Sequence, residues 1–310
     1  MKEAEFKFKT TKEIKVSKNI VDQVIGQDDA VNVIKKAAAQ RRHVLLIGEP
    51  GTGKSMLGLA MAELLPKEKL VDVLSFPNPN DENQPLIRTV AAGKGREMVA
   101  KSRIQDMGGL KNQNIIMFIF AVLAMIVPWW VREKYQSDVM FAAFFLGGMI
   151  FLAAFIMFMN LGKKMGGMKV MSPKLIVDNF KKKQAPFLDA TGGHAGALLG
   201  DVLHDPFQSG GLGTPAHERV IAGMIHKAHM GVLFIDEIAT LQPGSQQELL
   251  TAIQEGKNAI TGQSERSAGA MVRTEPVPCK FILIAAGNVE TVTHMHPALR
   301  SRIRGYGYEV

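Results

Sequence analysis

Gly48, Gly53, Lys54 and Ser55, in the run GEPGTGKS, fit the spacing G-x-x-x-x-G-K-[ST]. Glycines there let backbone N–H groups close around a phosphate, and a helix beginning beside the lysine adds its positive end. Lys54 then reaches the β and γ phosphates of a nucleotide, while the Ser55 hydroxyl holds Mg2+. Asp236 and Glu237, at the end of GVLFIDEI, supply what such a loop lacks. Asp236 suits the Mg2+ shell, and Glu237 suits orienting and deprotonating an attacking water. Asn288 closes KFILIAAGN, where its amide could position that water. Arg300, Arg302 and Arg304 follow in HPALRSRIRGYGYEV. Arginine beside a γ-phosphate stabilises spreading negative charge, yet the spacing is equally compatible with surface cations.

These residues need a scaffold that brings them to one edge. HVLLIGEPGTGKSMLGLAMAELL reads as an apolar strand, a glycine-rich turn and a helix. GVLFIDEI and KFILIAAGN read as buried strands whose polar residues come last, at the carboxyl edge where open α/β sheets bind ligands. The expected core is therefore a three-layer α/β domain on a parallel sheet.

Two apolar runs interrupt it, IIMFIFAVLAMIVPWWV at 115–131 and VMFAAFFLGGMIFLAAFIMFMNL at 139–161, and neither contains a charge. As helices they reach about 26 and about 35 Å, against a hydrocarbon layer of about 30 Å. Both are apolar all round, and Trp129 and Trp130 stand like interfacial anchors, so a transmembrane hairpin is expected rather than two core helices. The connector REKYQSD only turns the chain. Arg96, Lys101, Arg103 and Lys111 precede the first run, and Lys163, Lys164, Lys169 and Lys174 follow the second. Positive-inside then places both flanks in the cytoplasm, beside anionic headgroups.

The bulk composition is consistent with this. The net charge of +8 lies largely beside the apolar runs, and three tyrosines are too few for a basic, aromatic-rich groove, so no nucleic-acid partner is expected. A single cysteine, Cys279, excludes an intramolecular disulfide framework and points to a reducing compartment; its own place is a small buried hydrophobe. The first residues, MKEAEFKFKTTKEIKVSKN, are too charged for a secretory signal. His294 and His296 lack further ligands nearby, so no separate metal site is expected.

GEPGTGKS, LFIDE, the strand-end Asn288 and an arginine after PAL together resemble an AAA+ ATPase. In the opening VIGQDDAVNVIKKAAAQ, the resemblance implies that Val24 and Ile25 line the adenine pocket. Within AAA+, the two-span insert and the runs RRHVLLIGEPGTGKSMLGLAMAELLP, DPFQSGGLGTPAHERV and GVLFIDEI are similar to the archaeal-type, membrane-anchored Lon proteases over nearly the whole chain. That resemblance implies nucleotide contacts from Gly48, Glu49, Pro50, Gly51, Thr52, Gly53, Lys54 and Ser55, with ATP and Mg2+ as cofactors. It makes Asp236 and Glu237 the Walker B pair, Asn288 sensor 1, and Arg302, rather than Arg300, the arginine finger. It further implies a self-associating ring, a hexamer, that unfolds polypeptide substrates and feeds them to peptidase chambers.

The expected organisation is a charged segment at 1–20, core at 21–114, hairpin at 115–161 and core again at 162–310. The helical lid and Ser-Lys peptidase domain of the resembling family are not expected in this chain, since neither SPK at 172–174 nor SK at 17–18 has the surroundings of that dyad. The competing reading is a membrane-bound remodelling ATPase without a peptidase, which shares every nucleotide residue. In the glycine-rich stretch 191–215, Leu198, Leu199 or Phe207 are candidates to grip a polypeptide in a pore. Residues 254–279 read as a hairpin with turns at GK and SAGA.

Overall fold

The computed structural model describes residues 10–13, 16–49, 51–66, 70–165, 172–203, 214–262, 272–303 and 307–309. It divides into two compact units, one made of residues 1–96 with 174–310 and the other of residues 97–173.

In the first unit, helix α1 (Asp28–Gln40) leads into strand β1 (Val44–Ile47), and helix α2 (Lys54–Leu64) leaves it. Strands β2 (Val71–Phe76), β3 (Leu86–Ala91) and β4 (Lys174–Val177) form a small antiparallel sheet in the order β3-β2-β4. LVDVLSF is thus a strand, but one belonging to this side sheet. Next come β5 (Phe187–Asp189), helix α5 (Ala195–Leu199), β6 (Asp201–Val202), α6 (Ala216–Arg219), β7 (Val220–Ile221), α7 (Met224–Lys227) and β8 (Val232–Ile235). Helix α8 (Pro243–Glu255) precedes a short antiparallel pair, β9 (Lys257–Asn258) and β10 (Val277–Pro278). The Thr261–Arg273 bridge extends that hairpin, and the SAGA turn lies outside the described residues. Strand β11 (Ile282–Gly287), helices α9 (Val289–Thr293) and α10 (Pro297–Ile303) and strand β12 (Gly307–Glu309) complete the unit.

The main sheet has the order β12-β1-β11-β8-β5, with every pairing parallel. Strand alternation sends successive side chains to opposite faces. Val44 and Leu46 of β1, with Phe234 and Ile284, pack against α1 and α2 through Ile34, Leu57 and Met61. Leu45, Leu233, Ile235 and Leu283 pack the other face against Leu249 of α8 and Leu299 of α10. Helices thus cover both sides, the arrangement that near-continuous apolar strands require. The sheet and its two helical layers are the three-layer α/β core read from the sequence.

The second unit is a pair of helices that continue past the apolar runs. Helix α3 spans Lys94–Tyr135, its first turn lying in the first unit, and helix α4 spans Asp138–Met165. Gln136, at φ 51°, makes the turn between them, and Arg132 closes it with a 2.8 Å ion pair to Asp138. Phe120 meets the Phe155 ring at 4.7 Å, and Gly148 has no side chain where α4 approaches Ala124 of α3. The windows Ile115–Tyr135 and Asp138–Phe158 are long and apolar enough to cross a membrane, with mean hydropathy 2.2 and 2.5 and buried shares of 11% and 0%.

Candidate functional site

Register fixes which residues share an edge. Ile47 of β1 lies opposite Gly287 of β11, and Ala285 of β11 opposite Ile235 of β8. The glycine-rich loop, Asn288 and the Asp236–Glu237 pair therefore leave the sheet together at its carboxyl edge. One strand separates β1 from β8, so the loop and the acidic pair stand roughly 10 Å apart at ordinary strand spacing.

The loop is shaped by its glycines. Gly51 and Gly53 have φ of 85° and 84°, values open to glycine at little cost, and Gly53 is the N-cap from which α2 starts at Lys54. Lys54 is 6% exposed, and its Nζ donates to the carbonyls of Gly48 at 3.0 Å and Glu49 at 2.9 Å. An ammonium has three donors, so one remains for a ligand. Thr52 Oγ1 donates to the Glu49 carbonyl at 2.9 Å, and Gly48 N–H donates to the Gly287 carbonyl at 3.1 Å, tying the loop to the strand that presents Asn288. Ser55 and Asn288 are exposed at this edge, and Pro50 lies outside the described residues.

Asp236 is half-buried at the end of β8. Its N–H donates to Thr191 Oγ1 at 3.0 Å, and Thr191 in turn donates its hydroxyl to Asp189 Oδ1 at 2.6 Å. Glu237 N–H donates to Asp236 Oδ1 at 3.0 Å. Glu237 sits in the left-handed region, φ 49° and ψ 47°, its carbonyl held by the N–H and hydroxyl of Thr240 at 2.8 and 2.9 Å. Such a conformation is uncommon outside glycine, and here it turns an exposed carboxylate outward at the strand end.

Gln27 and Glu63 were not singled out in the sequence. Gln27 Nε2 donates to the Thr52 carbonyl at 3.1 Å, and Glu63 of α2 accepts the Ile20 N–H at 2.7 Å, so the segment before α1 is fastened to the loop and its helix. Val24 packs partly against the core, whereas Ile25 is 91% exposed. The signal for Gln27 was its place beside VIG; for Glu63, none.

The structure does not bring Arg302 to this edge. Its charge bears on His43, which precedes β1 at the opposite, amino edge, where His43 Nδ1 accepts the Leu283 N–H at 3.0 Å. Burial first, then Arg302 and Arg42, depress the His43 pKa to about 4. Arg300 is half-buried on the same helix, and Arg304 lies outside the described residues. A gripping role for Leu198 and Leu199 is corrected: at 0% and 6% exposure they pack in the core with Ile225 and Leu249. Phe207 lies outside the described residues.

The family profile described as "Magnesium chelatase, subunit ChlI" matches residues 20–79, and the one described as "Sigma-54 interaction domain" matches residues 162–290. An "Archaeal Lon protease" of Thermococcus kodakarensis is 61% identical over 305 residues, covering 98% of this chain and 46% of its own length. Its namesake in Archaeoglobus fulgidus is 57% identical over 303 residues, covering 98% and 47%. A cryo-EM-based model of the BchI–BchD complex of magnesium chelatase aligns with TM-score 0.45 and 20% identity, over 94% of this chain and 60% of that one. So loose a superposition carries no argument, and the fold rests on strand order. The chain spans under half the length of these curated relatives.

Proposed function

We propose, from the premise that the chain belongs with the archaeal Lon proteases over 98% of its length, that it is the part of such a protease that binds and hydrolyses ATP. The observation that carries this reading is the pairing of a buried, loop-bound Lys54 with Asp236 and Glu237 two strands away on one sheet edge. The amides of Gly51, Thr52 and Gly53, the Lys54 ammonium and the start of α2 hold the phosphates. Val24 and Ile25, ahead of α1, are the candidates to receive the base. The donor set around a metal is one hydroxyl, Ser55, and one carboxylate, Asp236, which fits Mg2+, an ion that keeps several waters and phosphate oxygens as ligands. Held by Ser55 and Asp236, Mg2+ would offset negative charge on the nucleotide's phosphates. Glu237 takes the proton of the water that attacks the γ-phosphorus, the bond to the β-γ bridging oxygen breaks, and ADP and phosphate leave. Asn288 orients that water.

Arg302 lies on the edge away from its own phosphate loop, which favours action on a neighbouring copy and a ring of subunits, a hexamer by family resemblance. The two apolar helices, barely buried in the described protein, favour a multi-pass anchor in the cell membrane with the ATPase on the cytoplasmic side. Polypeptides are the substrates, and serine peptidase activity belongs to the complete protease.

Glu237→Gln tests the central step. Tight ATP binding with turnover reduced by roughly a hundredfold or more is expected, within the range for loss of general-base catalysis. Unchanged turnover removes Glu237 from the base role.

A further inference from the structure

We propose that a cavity between the loop after β5 and the start of α8 binds a small oxyanion, a carboxylate or phosphate group. The cavity, of about 120 Å3, is walled by residues 192–195 on one side and by Thr240, Leu241, Gln242 and Ser245 on the other. It lies beyond β8 from the phosphate loop, toward the edge strand β5, on the far side of the acidic pair from Lys54.

Three features converge there. Helix α8 begins without a side-chain cap: Gln242 makes none, Pro243 has no N–H, and the first helical bond runs from the Gln246 N–H to the Gln242 carbonyl. The N–H groups of Gly244 and Ser245 are left without partners among the described residues, at the positive end of a 13-residue helix. Ser245 is only 7% exposed, lines the cavity, and its hydroxyl has no hydrogen-bond partner among the described residues. That hydroxyl is not among the enclosed unpartnered atoms, so it opens into the cavity, where an acceptor can take its hydrogen bond. His194, on the facing wall, supplies a ring N–H. No carboxylate side chain lines the cavity, so none repels an anion there. The volume suits one carboxylate or phosphate group with a water beside it. Thr240, part of the wall, is the residue that holds the Glu237 carbonyl, so the cavity adjoins the support of the proposed base.

The test uses the whole chain in detergent, carrying Lys54→Ala so that the phosphate loop does not compete, with glycine and serine labelled for amide NMR. Inorganic phosphate is titrated in one arm. Short peptides ending in a free carboxylate, and their amidated twins, are titrated in the other. Saturable shifts of the Gly244 and Ser245 amides are expected. Saturation by phosphate alone assigns a free phosphate, and saturation by the carboxylate peptide but not its twin assigns a polypeptide carboxylate. Ser245→Ala should weaken binding by about tenfold, the loss of one hydrogen bond to a charged group. His194→Gln, at a half-exposed position, should weaken it several-fold and keeps the test decisive if the buried substitution unfolds the chain. Amides that do not move with either probe, or that move identically in both variants, overturn the site. Because no turnover is measured, that failure is distinguishable from normal hydrolysis in Glu237→Gln.

Discussion

His226 shows how far a single side chain can be read only after folding. Its Nδ1 accepts the Gly223 N–H at 3.2 Å, which fixes the tautomer so that Nε2–H donates to the Asn258 carbonyl at 3.1 Å. Burial pushes its pKa down to about 4, against a smaller upward pull from Asn258, with the His229 and Lys227 charges adding to the decrease. The folded chain keeps the ring neutral where the unfolded chain takes a proton. Stability from this residue is therefore fully present above the ordinary value of 6.5 and is lost as pH falls toward 4, by about 3 kcal/mol at most. His43 and His229 shift in the same direction, mainly through burial. Thermal unfolding should show a midpoint that falls between pH 6.5 and 4, with a shallower fall in His226→Gln; an unaltered slope would remove His226 as a contributor. The candidate loop could be picked out in the sequence because a phosphate loop needs glycine, lysine and a hydroxyl at fixed spacing. Thr191 was not, because its bond to Asp236 crosses 45 positions and exists only once β5 pairs with β8.

Asp72 does for elements what Thr191 does for one carboxylate. It is fully buried on β2, where Oδ2 accepts the N–H groups of Gly93 and Gly95 at 2.7 and 3.0 Å and Oδ1 accepts the Asn179 N–H at 2.8 Å. Gly93 and Gly95 flank the first residue of α3, and Asn179 follows β4, so one carboxylate fastens the departure and return of the inserted segment. Arg96 adds a 2.6 Å pair to Asp178 and lies 4.5 Å from the Phe180 ring. Asp72→Asn puts an NH2 donor against backbone donors on one side of a buried site, and a loss of roughly 2–3 kcal/mol is expected from the unsatisfied groups. Urea unfolding of the chain measures it, and a change below about 0.5 kcal/mol, the range of ordinary surface substitutions, would mean that water already serves those donors. The strand LVDVLSF was readable from its apolar residues. Its membership of a side sheet was not, since the partners β3 and β4 are separated by the whole insert and only pairing reveals them. Likewise the apolar runs announced two long helices, while the continuation of α3 back to Lys94 lies upstream of the apolar run and was not read from it.

At the scale of the molecule, the question is why a parallel-sheet domain tolerates 77 residues, from 97 to 173, between two of its strands. The insertion arises from the side sheet, outside the strands that carry Lys54, Asp236 and Asn288, and both its ends belong to the same unit. Those ends are close: a β-carbon built on Gly95 would stand 2.7 Å from the Leu175 side chain. Loop-closure entropy grows only slowly with length, so a short connection there costs the fold little and a long one little more. Replacing residues 97–173 by a short Gly/Ser linker should therefore leave a unit that folds, retaining the shape of its far-UV circular dichroism and binding Mg-ATP with an affinity within a few-fold of the whole chain, about 1 kcal/mol. It should also stay monodisperse without detergent, because the exposed apolar surfaces of α3 and α4, including Phe118 at 69% and Phe158 at 74%, leave with the segment. Size-exclusion chromatography and nucleotide titration of the excised form check both halves. If the excised form aggregates while the intact chain binds nucleotide in detergent, the hairpin is part of what folds the sheet. If it is soluble yet has lost nucleotide, the Asp72 collar extends its influence to the phosphate loop.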